Sequence, residues 1–596
     1  MASSSHLAFQ VKCCIQRPSV SDNFHNLKTS LSSFSKPFFV GLEQLSMQID
    51  VSKTVKDTCL RLLDVFVDSM FEFVDQPLLP SQRNFAPVDE LQEAVVVTSI
   101  EGKVPSDFPE GPNPLFGGLK STVSMFGRSS HIWVEGEGML HALYFDKASD
   151  GSWTVTYNNK YVETETFKLE KQSNKPSFLP AIEGTSPAIL SAYLLNLVGK
   201  YYSVAENHVP QEIDIFTLDT SGNWDVNGAW NRPFTSHPKR APETGELVIM
   251  GVDARKPFVE LGIVSADGKR LVHKVDLKFN RCSLSHDIGV TQRYNVIMDF
   301  PLTIDLHRLL KGGPLIKFNQ SEYARIGIMP RYGDAESIKW FHVASNCTFH
   351  LLNCFEDGDQ IVIRACRALD SIIPGPDMGV NKFEWFSSRL KYVESVDEYT
   401  NSEEGSLFTR CYEWRLNMET EDVKERYLTG TEFSMDFPMI NGDFTGVKNK
   451  YGYAQVIDSS ASSESGMAKY GSLAKLYFEE PETDKTNSKE DQSEELIKVE
   501  YHKFEHNTFC TGAAFVPKLG SQEEDNGWII TFVHNEDTKM SKAYIIDTKK
   551  FTSEPLAKIA LPCRVPYGFH GAFMMQRVLH SHASSMGTRK LDQSKA

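Results

Sequence analysis

The stretch Trp340–Asp359, WFHVASNCTFHLLNCFEDGD, decides how the rest of the chain is read. It gives two short strands, WFHV and CTFHLLNCF, and then a turn at EDGD. Period-two alternation in the second strand sets Phe349 on one face and His350 on the other. A lone imidazole on an apolar strand is usually a core histidine with one hydrogen-bond partner. Other histidines of this chain stand in similar settings, after an apolar run and beside Pro, Asp or Gly. They are His237 in FTSHPKRAP, His286 in SLSHDIGV and His570 in VPYGFHGAF. Neutral imidazole is the commonest biological ligand of iron, copper and zinc.

Working outward, residues 85 to 575 read as many short strands separated by turns such as Asp150-Gly151, Ser221-Gly222, Asp267-Gly268 and Asp357-Gly358. Long helical periodicity is scarce. A strand-rich run of that length predicts an all-β chain, and a β-propeller before a sandwich, because a propeller grows by adding blades around an axis. No WD or kelch signature marks the repeat. The four histidines lie 49, 64 and 220 residues apart in turn. On inner strands of different blades they would converge on one axial ion. A shell of imidazoles suits iron, copper or zinc and not Mg²⁺ or Ca²⁺, which take oxygen. Such ligands donate their other ring N–H to a carboxylate or carbonyl. Two acids stand inside apolar strands, Glu206 in YSVAENHVP and Asp436 in FSMDFPMIN.

Composition narrows the function classes. The net charge of −16 argues against a nucleic-acid partner. Ten cysteines without a CxxC pair fit a reducing compartment and exclude a zinc ribbon. No apolar run approaches the roughly 20 residues of a membrane-spanning helix. Residues 1–40 are serine-rich, with Lys12, Arg17, Lys28 and Lys36 against Asp22 alone, the composition of a plastid transit peptide. A disordered cytoplasmic extension is the alternative. Residues 50–80 predict an amphipathic helical segment, with Leu62, Leu63, Phe66 and Met70 on one face and Asp57, Asp64, Asp68 and Glu72 on the other. Its acidic face favours packing on the body over lipid, with shallow peripheral membrane contact as the second use. Residues 479–496 predict a solvated acidic loop, and residues 576–596 a tail.

The motifs around the four histidines, HDIGVTQRYNVIMDFPL, FHLLNCFEDGD and RVPYGFHGAF among them, resemble those of the carotenoid cleavage dioxygenases (the carotenoid oxygenase family). GPNPLFGG at 111–118, WVEGEGMLHALYF at 133–145 and DFPMINGDFTGVKNKYGYA at 436–454 extend the likeness over residues 85–575. Within the family the chain is most similar to the plant 9,10(9′,10′)-cleaving type, or to a zaxinone synthase-like branch acting on shorter apocarotenals. The resemblance implies a seven-bladed propeller under a helical and loop dome. It implies Fe²⁺ bound by His237, His286, His350 and His570, and cleavage of a conjugated C=C bond of a carotenoid or apocarotenoid with O₂. It sets Glu206 opposite His286 and Asp436 opposite His350, each accepting from its ring. A third acid is expected in FCTGAAFVP, where this chain has Gly512. Two further departures are text missing beside Gly111 and beside Gly199, which predict strand edges left unpaired there. The rival readings are a catalytically impaired member that binds apocarotenoid, and a propeller scaffold for protein partners. His131, His141, His342, His580 and His582 are expected to have no part in the metal site.

Overall fold

A computed structural model of the chain describes residues 80–117, 138–173, 209–233, 235–310, 314–372, 409–481 and 496–574. The segments 1–40, 50–79 and 576–596, the text around Gly199, and Glu206, His131, His580 and His582 lie outside them.

The described residues are mostly strand, with three short α-helices, Glu165–Ser173, Leu306–Leu310 and Ser459–Ser465. None of the helices is long and apolar enough to cross a membrane. The strands follow one another in antiparallel meanders. One four-stranded sheet runs Leu271–Asp276, Val259–Val264, Leu247–Val252, Lys239–Arg240. A second runs Gly289–Val290, Tyr294–Asp299, Ala324–Pro330, Lys339–Val343, and a third Cys347–Asp357, Gln360–Ala368, Arg410–Asn417, Val423–Tyr427. A nine-stranded sheet is a four-stranded and a five-stranded unit joined at a single residue pair, Tyr470 with Cys510. The first meander begins at Met435–Met439 and the second at Thr508–Pro517.

The remaining large sheet has five strands and joins distant parts of the chain. Gly111–Gly117 pairs with Met139–Lys147 on one side and with the late strand Gly568–Gly571 on the other. Ile100–Gly102 likewise pairs with Ala557–Ala560. Gly111 itself pairs with Phe145 on one side only. On its other side the late strand pairs from Leu115 to Gly117, and the Met574 N–H adds one bond to the Pro112 carbonyl, so the edge expected at Gly111 is open on that side.

Two expectations need correction, one for the central stretch and one for the acidic loop. The turn falls where EDGD predicts it, but strict alternation in Cys347–Asp357 is broken by register shifts between Thr348 and His350 and between Leu351 and Asn353. The strand is buried along most of its length, because it is covered on both faces. The acidic loop also begins later than 479, since Tyr470–Pro481 continues as strand through Glu479 and Glu480.

Burial between neighbouring sheets holds these units together. Val296, Ile326 and Phe341 of one sheet meet Leu351, Ile363 and Trp414 of the next in a single apolar cluster. Each such side chain stabilises by about 1.5–3 kcal/mol when fully removed from water. The result bears directly on the site. His350, Asp436 and His570 stand on terminal strands of three different sheets, and His237 and His286 immediately precede the terminal strands of two more.

Candidate metal centre

The structure brings His237, His286, His350 and His570 together, their ligand atoms all within 4.8 Å of one another. Ring centroids of His237 lie 4.8, 5.1 and 4.6 Å from those of His286, His350 and His570. The rings stand edge to face, so that nitrogens converge and π-faces do not stack. His237 Nε2 and His286 Nε2 are 3.1 Å apart. Two nitrogens each 2.0–2.1 Å from one ion would be separated by about 3 Å when adjacent around it.

His350 carries the test of fit. Its Nδ1 donates to Asp436 Oδ1 at 2.8 Å, which leaves Nε2 as the free acceptor. That Nε2 is buried and has no hydrogen-bond partner. A buried polar atom without a partner costs about 1–3 kcal/mol, and a cation at the centre of the cluster removes the deficit. Burial first, then the neighbouring imidazoles and Lys239, holds the His237 and His570 rings well below the ordinary histidine range. Both are neutral at pH 7, with lone pairs available to an ion. The donor set therefore fits a divalent transition metal.

Asp436 is fixed in turn. Its Oδ1 also accepts the N–H of Phe437 at 2.8 Å. Phe437 adopts φ of +53°, a left-handed conformation that costs a non-glycine residue about 1–3 kcal/mol and persists where the surroundings impose it. The Phe437 ring lies 4.7 Å from His350 and 4.9 Å from His570, and it stacks on Phe569 at 5.0 Å. Across the cluster, Phe349 stacks on His286 at 5.0 Å. These rings give the four imidazoles an apolar surround.

Sequence reasoning missed Asp287. It follows His286, and in HDIG it reads as a turn residue. In the structure it is 1% exposed. Its Oδ1 accepts from Lys239 Nζ at 2.6 Å and from the Ile288 N–H at 2.7 Å, and its Oδ2 accepts the Leu351 N–H at 2.8 Å. His237 and Asp287 also form an isolated parallel bridge. One carboxylate thus touches the segments that carry three of the four histidines. The signal available in sequence was an acid beside a candidate ligand in an otherwise apolar run.

The other histidines stand apart. His342 is exposed on Lys339–Val343. His141 Nδ1 shares a 2.7 Å hydrogen bond with the Tyr157 hydroxyl. Gly512 lies at a register shift in Thr508–Pro517 with φ of +136°, where L side chains are strained.

Residues 85–575 match the family described as retinal pigment epithelial membrane protein (RPE65). Carotenoid 9,10(9′,10′)-cleavage dioxygenase 1 of Pisum sativum is 28% identical over 538 residues, covering 84% of this chain and 90% of its own. Among solved structures, Pseudomonas brassicacearum lignostilbene dioxygenase aligns with a TM-score of 0.64 at 18% identity, over 84% of this chain and all of its own. Cobalt-substituted Synechocystis ACO aligns with a TM-score of 0.64 at 18% identity, over 83% and 98%. At such identities the structures speak for the fold, and the fold is theirs. The family match spans far more than half of the chain, and the chain belongs to the RPE65, or carotenoid oxygenase, family.

Proposed function

We propose that this protein is a non-haem Fe²⁺ dioxygenase that cleaves a conjugated C=C bond of a carotenoid or apocarotenoid with O₂, giving aldehyde or ketone apocarotenoids. The observation that carries the reading is the convergence of four imidazoles, with the buried His350 Nε2 lacking any protein partner. In this reading His237, His286, His350 and His570 hold the ion, Asp436 orients His350, and Glu206 does the same for His286. Ferrous iron, when bound, supplies the O₂ chemistry that turns one double bond into two carbonyl groups. Four neutral ligands leave the ion its full positive charge.

The remaining work belongs to the chain. A polyene offers no charge to hold, so apolar contact must position it. Phe349, Phe437 and Phe569 present ring surface at the cluster. Where the substrate stops relative to the imidazoles sets which bond is cut. We read the recurring meanders as blades of a seven-bladed propeller under a helical and loop dome, preceded by the helical segment at 50–80. Residues 1–40 direct the chain to plastids. The acidic face of 50–80 favours protein contact for this segment, with shallow peripheral membrane contact as its second use. Plant relatives described as chloroplastic support the plastid assignment.

The test is metal analysis together with product analysis. The chain, loaded with Fe²⁺, is incubated with β-carotene, zeaxanthin and several apocarotenals under ¹⁸O₂. The expected result is about one iron per chain and carbonyl products carrying ¹⁸O. A chain with a full complement of iron and no product from any of these polyenes overturns the cleavage reading. A chain that takes up no iron overturns the metal site.

A further inference from the structure

Support for the imidazoles differs from ligand to ligand. For His350 it is a carboxylate on the ring, the Asp436 contact described above. Directly across the sheet from Asp436, as its register partner, stands Gln455 of the strand Tyr451–Ile457. Gln455 is 1% exposed. Its Nε2 donates to the carbonyl oxygen of Phe569, the residue before His570, at 2.7 Å. Its Oε1 accepts from the Cys510 thiol at 3.3 Å. The amide can sit only one way, because a carbonyl oxygen accepts and a thiol donates.

On the other side of His570 the main chain is pinned by contact. A Cβ built on Gly571 would lie 3.1 Å from both the carbonyl carbon and the oxygen of Ala513, so the two backbones touch there. His570 is thus held between a hydrogen-bonded carbonyl at 569 and a close backbone approach at 571. Its strand is only four residues long and lies near the end of the described chain. A short strand keeps its register poorly by ladder bonds alone.

We infer that Gln455 is a positioning residue for the metal centre: its buried amide fixes the backbone that carries His570, as Asp436 on the facing strand fixes the ring of His350. A single cross-strand pair then sets two of the four ligands. The inference rests on His570 being a metal ligand, and the experiment separates the two claims.

Co²⁺ serves as the probe, since its visible absorption reports the number and arrangement of ligands. Gln455→Met keeps the size and flexibility of the side chain and removes the donor. Gln455→Glu replaces the donor with an acceptor facing the Phe569 carbonyl. Both should weaken Co²⁺ binding about 10–100-fold, the usual loss when the support of a ligand is removed, and shift the absorption bands of the bound ion. Thr548→Val provides the comparison for stability alone. Its hydroxyl donates to the Gly527 carbonyl at 2.8 Å in a fully buried site away from the histidines. It should lower the melting temperature and leave Co²⁺ affinity and spectrum unchanged. In a His570→Ala background, Gln455→Met should change affinity less than about twofold, because a residue acting through His570 has nothing left to act on.

A Gln455→Met protein with parental affinity and spectrum overturns the inference. So does a full additional loss in the His570→Ala background. If Gln455→Met does not fold, Cys510→Ala, which frees the amide to turn, takes its place under the same two criteria. A His570→Ala chain that binds Co²⁺ like the parent defeats the ligand assignment itself, whatever Gln455 does.

Discussion

Replacing Asp287 by asparagine removes one charge and one acceptor from a carboxylate that serves three donors. Asp287 is buried, its side chain 2% exposed, while that of Lys239 is 22% exposed. Asparagine has one oxygen. If that oxygen faces Lys239 and the Ile288 N–H, its NH₂ is set against the Leu351 N–H, and a buried amide loses its acceptor at a cost of about 1–3 kcal/mol. If it faces Leu351 instead, the NH₂ is set against an ammonium, and the loss is that of a hydrogen bond to a charged group, again about 1.5–3 kcal/mol. Either way the lost charge leaves Lys239 with a weaker partner, although its partial exposure lets water take some of the charge. The sum is about 3 kcal/mol, equivalent to a fall of a few degrees in melting temperature.

The Leu351 peptide adjoins His350, and Lys239 is two residues from His237, so the loss should also reach the metal. Metal-free Asp287→Asn is expected to melt a few degrees below the parent and to bind Co²⁺ about tenfold more weakly. Lys239→Met alone leaves the carboxylate buried without its cation, which typically costs about 3–5 kcal/mol when neither charge meets water. The double variant should recover part of that loss. Melting and Co²⁺ titration of the four proteins read both effects. An Asp287→Asn chain that melts and binds like the parent refutes the reasoning that this carboxylate ties the ligand segments together.

Four further outcomes are expected. Each of His237→Ala, His286→Ala, His350→Ala and His570→Ala should abolish cleavage and lower bound iron, and His342→Ala should change neither, as measured by metal analysis and turnover. Gly512→Glu, at φ of +136°, should lower the melting temperature without tightening Co²⁺ binding; a stable variant with raised affinity would show that the backbone at 512 relaxes. His534 is 1% exposed, and burial, then Arg564, pushes its pKa from 6.5 to about 4. The unfolded chain takes that proton first, so His534 contributes stability that is full above pH 6.5 and falls by about 3 kcal/mol as pH drops to 4. His534→Asn should flatten that part of the stability–pH curve. A fluorescent protein fused behind residues 1–40 should enter plastids, and a diffuse cytoplasmic signal would reject the transit peptide.

His350, His570 and Asp436 were legible in sequence because each breaks a strand with a group that the core would otherwise exclude, and His237 and His286 because they stand beside Pro or Asp just before a strand. The strand-rich character was legible for the same local reason, alternation between turn signals. Asp287 and Gln455 were not. Asp287 beside Ile and Gly carries the composition of a turn. Gln455 in YGYAQVI looks like an ordinary outward polar residue. What makes each buried is a partner 64 or 114 residues away, Leu351 in one case and Phe569 in the other. No local pattern encodes such a pairing. The register shifts in Cys347–Asp357 were hidden because alternation assumes an unbroken ladder, and a bulge changes which face every later residue takes.

The late strand Gly568–Gly571 completes the sheet that holds Gly111–Gly117, and it also delivers the fourth imidazole. During synthesis these events coincide. His237 leaves the ribosome 333 residues before His570, an interval of roughly 20–60 s at 5–20 residues per second. Throughout that time the nascent chain holds at most three of its four imidazoles, and its first sheet lacks an edge. Closing that edge and completing the four-imidazole cluster are therefore one step of the assembly. A chain cut short before Gly568 has neither, so loss of the cluster and loss of the closing edge arrive together and mark the same defective product.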